Sequence, residues 1–284
     1  MLAMTIESRE HVRRYFDEFG DAEWDRLTGD VRGRVSLEIH RRFLTRFVGP
    51  GDRVLEVGAG PGRFTIELAA LGATVVVTDL SPVQLALNAE HLRGSASDAA
   101  VERREVLDIC DTSRYADGEF DLVLAYGGPL SYTFEHAEEA MRGLLRITRS
   151  GGLVVGSVMS LLGAWRHFLP GVVKVAETIG EDANDRILRT GDLRHESGQG
   201  IDTHVCQMFR YRDLAALVRA ADAEIVAASA SNWASLGDLD ALAVLEADPS
   251  RWARFLEHEV TACQEPGCLD GGTHILFAAR HPHV

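Results

Sequence analysis

Cysteine is scarce in this chain, with four among 284 residues. Cys110, Cys206, Cys263 and Cys268 are too few and too irregularly placed for a disulfide framework, so buried or free thiols are expected. No C-x-x-C pair accompanies them, and a zinc set drawn from Cys206, Cys263, Cys268 and His274 lacks the paired spacing of structural zinc sites. Long apolar runs are missing as well. The longest, Leu153 to Trp165, contains Gly156, Ser157, Ser160 and Gly163 and is shorter than the roughly 20 residues that cross a bilayer. Met1 to Met4 leads straight into Glu7, Arg9 and Glu10 without the apolar stretch of a secretory signal, which makes the expected location cytoplasmic. Basic charge is in deficit: 29 Lys and Arg face 43 Asp and Glu, for a net charge of -14. That field repels polyphosphates, and no local basic patch offsets it, so nucleic acid and anionic membranes are not expected partners. A small or cationic ligand suits the charge better. The chain also has no internal repeat and no low-complexity tract.

What is present is a globular composition, 46% hydrophobic and 25% charged, sufficient for a substantial core in a single domain with an elaboration. From Arg53 the sequence alternates β-rich and helix-like runs, "RVLEV", "FTIELAALG", "TVVVTD" and "SPVQLALNAEHLR", the rhythm of βαβ units and a parallel sheet. Ser81-Pro82 reads as an N-cap and first-turn pair for the last of these. Further strands are expected at Val101 to Leu107 and Phe120 to Ala125. A helix over His136 to Arg149 is expected to stop at Ser150-Gly151-Gly152, before the strand "LVVGSV". Residues 161–203 break the rhythm and are too long for an ordinary connection, which reads as an insertion over a site. An amphipathic helix (Tyr211 to Ala221), a strand (Glu224 to Ala230), one or two helices (Leu239 to Val260) and a last strand (His274 to Arg280) follow. Residues 1–45 carry two helical patterns and read as a cap, leaving 46–160 and 204–284 as the core.

The chemistry begins at "VLEVGAGPGRF", where Gly58, Gly60 and Gly62 follow a strand and open a helix. Such a turn lets a ligand lie against bare backbone near a helix N-terminus. The third glycine comes one residue too early for the dinucleotide fingerprint, and the Lys-Ser/Thr pair of a P-loop is missing. At the end of the second strand stands Asp79, able to accept from both hydroxyls of a ribose. At the end of the third, Asp108 lies beside Ile109, suited to an exocyclic amine and a flat ring. Each Asp alone could equally be a helix cap; three strand ends in agreement favour a nucleoside.

These residues resemble the class I S-adenosylmethionine-dependent methyltransferases, through "VLEVGAGPGRF", "VVVTDLSPVQL", "VLDICD", "FDLVLAYGGPLSY" and "RSGGLVVGS", in order across about 105 residues. The resemblance implies an α/β, doubly wound, Rossmann-like seven-stranded sheet with an antiparallel last strand, and S-adenosylmethionine as cofactor. It also implies site roles: Gly58, Ala59 and Gly60 along the methionyl moiety with Glu56 supporting its ammonium, Asp79 on the ribose, Leu80, Asp108 and Ile109 on the adenine, Ala125 and Tyr126 beside the sulfonium. In place of the Asn/Asp-Pro-Pro-Tyr of many amine methylases stands Tyr126-Gly127-Gly128-Pro129-Leu130, and "LAYGGP" supplies no metal-binding carboxylates, so a metal-independent enzyme acting on a small-molecule acceptor is expected. "GGPLSY" with the late "GTHILFAARH" is similar to bacterial small-molecule methyltransferases. Tyr15, Phe16, Tyr132 and Trp165 are the candidate acceptor contacts, and His204, then His167, the candidate general bases. The acceptor atom, O, N, S or C, stays open, as does a homodimer. A binding module without transferase chemistry and a nucleotide-dependent oxidoreductase are the alternative readings.

Overall fold

The computed structural model describes residues 6–194 and 204–281; the end of the expected insertion, 195–203, lies outside them. Seven strands, β1 (Arg53–Val57), β2 (Thr74–Asp79), β3 (Val101–Val106), β4 (Phe120–Ala125), β5 (Thr148–Met159), β6 (Glu224–Ala230) and β7 (His274–Arg280), form one sheet in the order β3-β2-β1-β4-β5-β7-β6. All neighbours are parallel except β7, which runs antiparallel to both β5 and β6. Before the sheet lie α1 (Ile6–Phe19), α2 (Ala22–Asp25) and α3 (Val31–Leu44). The crossovers are α4 (Arg63–Ala70), α5 (Pro82–Leu92), the single turn α6 (Ala96–Ala99) and α7 (Ala137–Ile147). After β5 come α8 (Leu161–His167), α9 (Leu169–Thr178) and α10 (Glu181–Thr190), then α11 (Tyr211–Ala220), α12 (Leu239–Glu246) and α13 (Pro249–Gln264).

The sheet is covered on both faces, and strand periodicity divides its side chains between two cores. Leu55 and Val57 of β1 face Met141 and Leu144 of α7 and Leu214 and Val218 of α11. Val54, one residue earlier, joins Val35, Ile39 and Phe43 of α3 with Leu68 of α4. Val75, Val76 and Val77 are fully buried, as a continuous β-branched run in a central strand requires. Truncating a side chain such as Leu55, 0% exposed, costs about 2–5 kcal/mol. The expected cap forms as read: the Ser81 hydroxyl accepts from Gln84 N at 3.1 Å and Pro82 follows it, worth about 1 kcal/mol to α5.

One expectation needs correction. The helix ahead of β5 ends at Ile147, because Thr148 turns extended and its hydroxyl donates back to Leu144 O. Thr148 already pairs with Phe120, and Gly151, at φ 74°, lies within the irregular stretch where the β4–β5 register shifts rather than at a helix cap. The segment after β5, expected as an insertion, contains three short helices through residue 190 with a small core of their own, Leu161, Val175, Ala183 and Ile187. Ser160 caps the first by accepting from Gly163 N, and Pro170 sits in the first turn of the second, where its missing N–H costs nothing.

Strand order reverses between β1 and β4. The carboxyl ends of these strands therefore frame a crevice, the place where open α/β sheets hold ligands.

Candidate functional site

The turn after β1 is held open by its glycines. Gly58 takes φ 67° and a Cβ there would lie 2.7 Å from Pro129 Cγ, so the chain after β4 packs directly onto this turn. Gly62 takes φ 103° and a Cβ would lie 2.8 Å from both Asn88 Nδ2 and Leu92 Cδ1 of α5. The third glycine is thus required by helix packing, a reason the sequence reading did not supply. Its preferred explanation, approach of a ligand, fits Gly60, where a Cβ would meet nothing closer than 3.6 Å.

A cavity opens over this turn at the ends of β1, β2, β3 and β4. Gly58, Gly60, Asp79, Leu80, Asp108, Ile109 and Tyr126, all expected in a cofactor site, line it together. Asp79 is 8% exposed, and burial raises its carboxyl to about 6, against the lowering effect of two backbone donors, Ser81 N and Gly60 N, each at 2.8 Å. One lone pair on each oxygen remains for a ligand. Asp108 accepts from Cys110 N at 2.9 Å and faces Arg9 of α1. The roof of the cavity comes from the N-terminal helices, through Arg9, Val12, Phe16 and Glu23. These helices are tied down beside it: the Ser81 hydroxyl donates to Asp17, Trp24 stacks on His91 at 4.0 Å, and the Arg63 guanidinium lies over the Trp24 ring at 3.7 Å.

Glu56, Ala59 and Ala125 do not line the cavity. They stand behind its wall, each less than 9% exposed. Glu56 accepts from the Thr65 hydroxyl at 2.6 Å, and Thr65 accepts from Asn88 Nδ2 at 3.0 Å, so this carboxyl belongs to a buried chain joining β1 to α4 and α5. Burial, with Asp79 nearby, raises it to about 8.

A second cavity adjoins the first, and Phe16, Glu23, Gly127 and Tyr132 line both. Its walls are aromatic and apolar around a few charged and imidazole groups. Tyr15, Phe16 and Tyr132, expected on the acceptor side, are here, with both candidate bases, His204 and His167. Trp165 is not: it packs on the insertion's own core, against Leu161, Val175, Ala183 and Ile187. The Tyr132 hydroxyl lies 2.8 Å from His204 Nε2, and the ring of Tyr15 stacks on His204 at 5.2 Å. Burial raises Tyr132 well above the usual phenol range, so the phenol keeps its proton beside the imidazole. His167 is shifted downward by partial burial and by Arg32.

Several wall residues escaped the sequence reading. Arg26, beside the junction, pairs with Glu23 at 2.7 Å. His274 at the start of β7 is half-buried on the wall and held neutral by desolvation and by Arg26. Glu259 of α13, 2% exposed, accepts from the backbone N–H groups of Trp233, Ala234 and Ser235 and so fixes the loop that brings Asn232 and Leu236 to the cavity. Lone residues at unrelated chain positions give no spacing to read. No group of three or more His, Cys, Asp or Glu is disposed to hold a metal among the described residues.

Residues 54–152 match the family model of a methyltransferase domain. The chain is 31% identical over 141 residues to a magnesium-protoporphyrin O-methyltransferase of Rhodobacter capsulatus, covering 44% of this chain and 59% of that protein. It is 35% identical over 111 residues to a demethylmenaquinone methyltransferase of Mycobacterium sp. (strain KMS), covering 38% and 42%. These matches span less than two thirds of the relatives' lengths. Among solved structures it is similar to an S-adenosylmethionine-dependent methyltransferase from Mesorhizobium loti, with TM-score 0.56, 17% identity and coverage of 90% and 100%, a likeness of fold.

Proposed function

We propose that this chain is a class I S-adenosylmethionine-dependent methyltransferase that transfers a methyl group, without a metal, to a small-molecule acceptor held in the second cavity, a reading supported by the match of residues 54–152 to a methyltransferase domain and by the likeness of fold. The observation that carries the reading is the shared wall: Phe16, Glu23, Gly127 and Tyr132 border both cavities, so two ligands meet there. A module that only bound the cofactor would not need the second cavity.

The first cavity suits the cofactor chemically. S-adenosylmethionine presents a ribose diol, an exocyclic amine, an ammonium and a cationic sulfur, all of which seek acceptors or negative charge. The cavity wall offers the carboxylates of Asp79, Asp108 and Glu23 and the side-chain oxygen of Gln84, buried with no partner. Asp79 would hold the ribose, Leu80, Asp108 and Ile109 the adenine, and Gly58 and Gly60 the methionyl chain. Tyr126 would border the sulfonium. Glu56 would act through the wall rather than by contact. The cofactor supplies an electrophilic methyl group. The residues of the chain align the acceptor, exclude water and move its proton. For a hydroxyl or protonated amine, the acceptor proton passes to the Tyr132 oxygen as Tyr132 gives its own to His204 Nε2; His167 is the second candidate base. For a thiol or an already neutral amine, alignment suffices. Residues 6–47 and the insertion act as the cover over this junction.

Calorimetric titration tests the reading. S-adenosylmethionine and S-adenosylhomocysteine should both bind in the presence of EDTA, and NAD should not. Asp79→Ala should weaken both about ten- to a hundredfold, the loss of charged hydrogen bonds worth about 1.5–3 kcal/mol each. Binding of NAD alone would sink the assignment, and unchanged affinity in Asp79→Ala would reduce Asp79 to a turn residue.

A further inference from the structure

Gln84 stands in the first turn of α5 at the edge of the first cavity and is 1% exposed. Its amide is divided between two surroundings. Nε2 donates to Phe16 O at 2.9 Å and to Gly20 O at 3.0 Å, at the C-terminal end of α1. These two carbonyls lie at the end of α1, so this one group ties the end of the roof helix to α5. The two carbonyl partners also settle which amide atom is nitrogen. Oε1 is buried and has no hydrogen-bond partner. It faces the turn after β1, 3.8 Å from where a Cβ on Gly60 would stand, and Gly60 N is itself bonded to Asp79. A buried carbonyl oxygen without a donor is destabilising, a cost relieved when a ligand brings the donor.

We propose that Gln84 binds the cofactor and the roof helix at once: Oε1 accepts a hydrogen bond from a ribose hydroxyl of the molecule held by Asp79, while Nε2 holds the end of α1 in place. The inference rests on the donor-cavity reading above. Of the donors on the cofactor, the ribose hydroxyls are the ones Asp79 would engage, and the open oxygen of Gln84 faces Gly60, the residue whose N–H is bonded to Asp79. Filling that oxygen fixes the amide, and with it the closed position of α1, whose Tyr15 and Phe16 form a wall of the acceptor cavity. Occupancy of one cavity thereby favours occupancy of the other, and by reciprocity the acceptor strengthens binding of the cofactor by the same factor.

The test uses the full chain with S-adenosylhomocysteine and its 2′-deoxy and 3′-deoxy forms, read by calorimetry and by amide hydrogen exchange. Gln84→Met keeps the length of the side chain and removes both polar contacts. It should bind S-adenosylhomocysteine about three- to tenfold more weakly, yet bind one of the deoxy forms as well as the wild type does. In the wild type, S-adenosylhomocysteine should slow exchange of the Gly20 amide, which donates to Phe16 O at the end of α1; in Gln84→Met it should not. A purely structural Gln84 would weaken all three ligands equally, and that result, or unchanged affinity for S-adenosylhomocysteine, overturns the proposal. If Gln84→Met does not fold, the wild type decides: the deoxy form lacking the relevant hydroxyl must protect the Gly20 amide less, and equal protection by all three ligands overturns it. Failure of the wild type to bind S-adenosylhomocysteine at all would instead remove the donor-cavity reading on which the inference stands.

Discussion

The two cavities meet at a common wall but are built in different ways. The donor side is made mainly where strands end: Gly58 and Gly60 after β1, Asp79 and Leu80 at the end of β2, Asp108 and Ile109 after β3, Tyr126 after β4. The acceptor side is gathered from α1 to α3, the turn after β4, the insertion, and the loops before β7 and after β6. In the first, backbone geometry dictates residue type, so glycines and strand-end carboxylates recur at fixed offsets. In the second, only the tertiary fold brings the side chains together, and the chemistry follows from who meets whom. The electrostatics divide the same way: burial raises Asp79 to about 6 on the donor side, while around the acceptor cavity it holds His274 neutral.

The largest expected effect falls at the shared wall. If the acceptor loses a proton as it is methylated, Tyr132→Phe and His204→Ala should each lower kcat by about 10²–10⁴, the usual cost of losing general-base assistance, while S-adenosylhomocysteine binds within about twofold of the wild type. His167→Ala, farther from the junction, should lose less than about tenfold. Once an acceptor has been found with labelled methyl donor, pH-rate profiles at saturating cofactor decide the matter. Two variants that both keep the neutral-pH limb and most of the turnover would end the relay and leave alignment as the mechanism.

The sequence made the sheet legible because β-branched runs and caps act locally: β1, β2, β4, β6 and β7 fall where the pattern places them. The start of β5 was not legible, since the pairing of Thr148 with Phe120 depends on a neighbouring strand. Trp165 shows the limit for aromatics, whose composition alone cannot distinguish a cavity wall from a small core beneath α8. Glu56 shows it for carboxylates. Its place at the end of the glycine strand is readable, but its hydrogen bond to Thr65 and its burial behind the wall are not.

The next effect, on the order of 2 kcal/mol, concerns two buried groups behind the donor wall that respond to pH in opposite directions. Glu56 titrates near 4.5 when unfolded and is raised by burial to about 8 in the fold. Between those values the folded chain holds a proton that the unfolded chain has released, so stability falls as pH rises through the window. Glu56→Gln should therefore flatten that limb and make the unliganded protein more stable at pH 8. His40, packed edge-on against Tyr126 at 4.9 Å, is lowered by burial to about 4. Its contribution is intact above pH 6.5 and is lost as pH falls toward 4, so His40→Gln should flatten the opposite limb. Urea denaturation at pH 5, 6.5 and 8 reads both, and a Glu56→Gln variant less stable than the wild type at pH 8 would show the carboxyl to be ionised in the fold.

The smallest effect concerns the roof of the donor side. Arg9 Nε lies 2.9 Å from Asp108 Oδ2, but it is poorly aligned as a donor and forms no hydrogen bond there. The Arg9 side chain is 42% exposed, so solvent screens the pair, and contacts of this kind contribute about 0–1 kcal/mol. The docking of α1 then rests on Asp17, Gln84 and the Trp24–His91 stack, and Arg9 trims the field around Asp108. Arg9→Ala should leave the melting temperature within a few degrees and shift S-adenosylhomocysteine affinity by less than about threefold. Because the freed carboxylate would accept more readily from the adenine amine, the shift should be toward tighter binding, and the difference from wild type should shrink at high salt. A tenfold loss of affinity would instead make Arg9 a direct contact of the cofactor and the roof a larger part of the donor site than the strand ends.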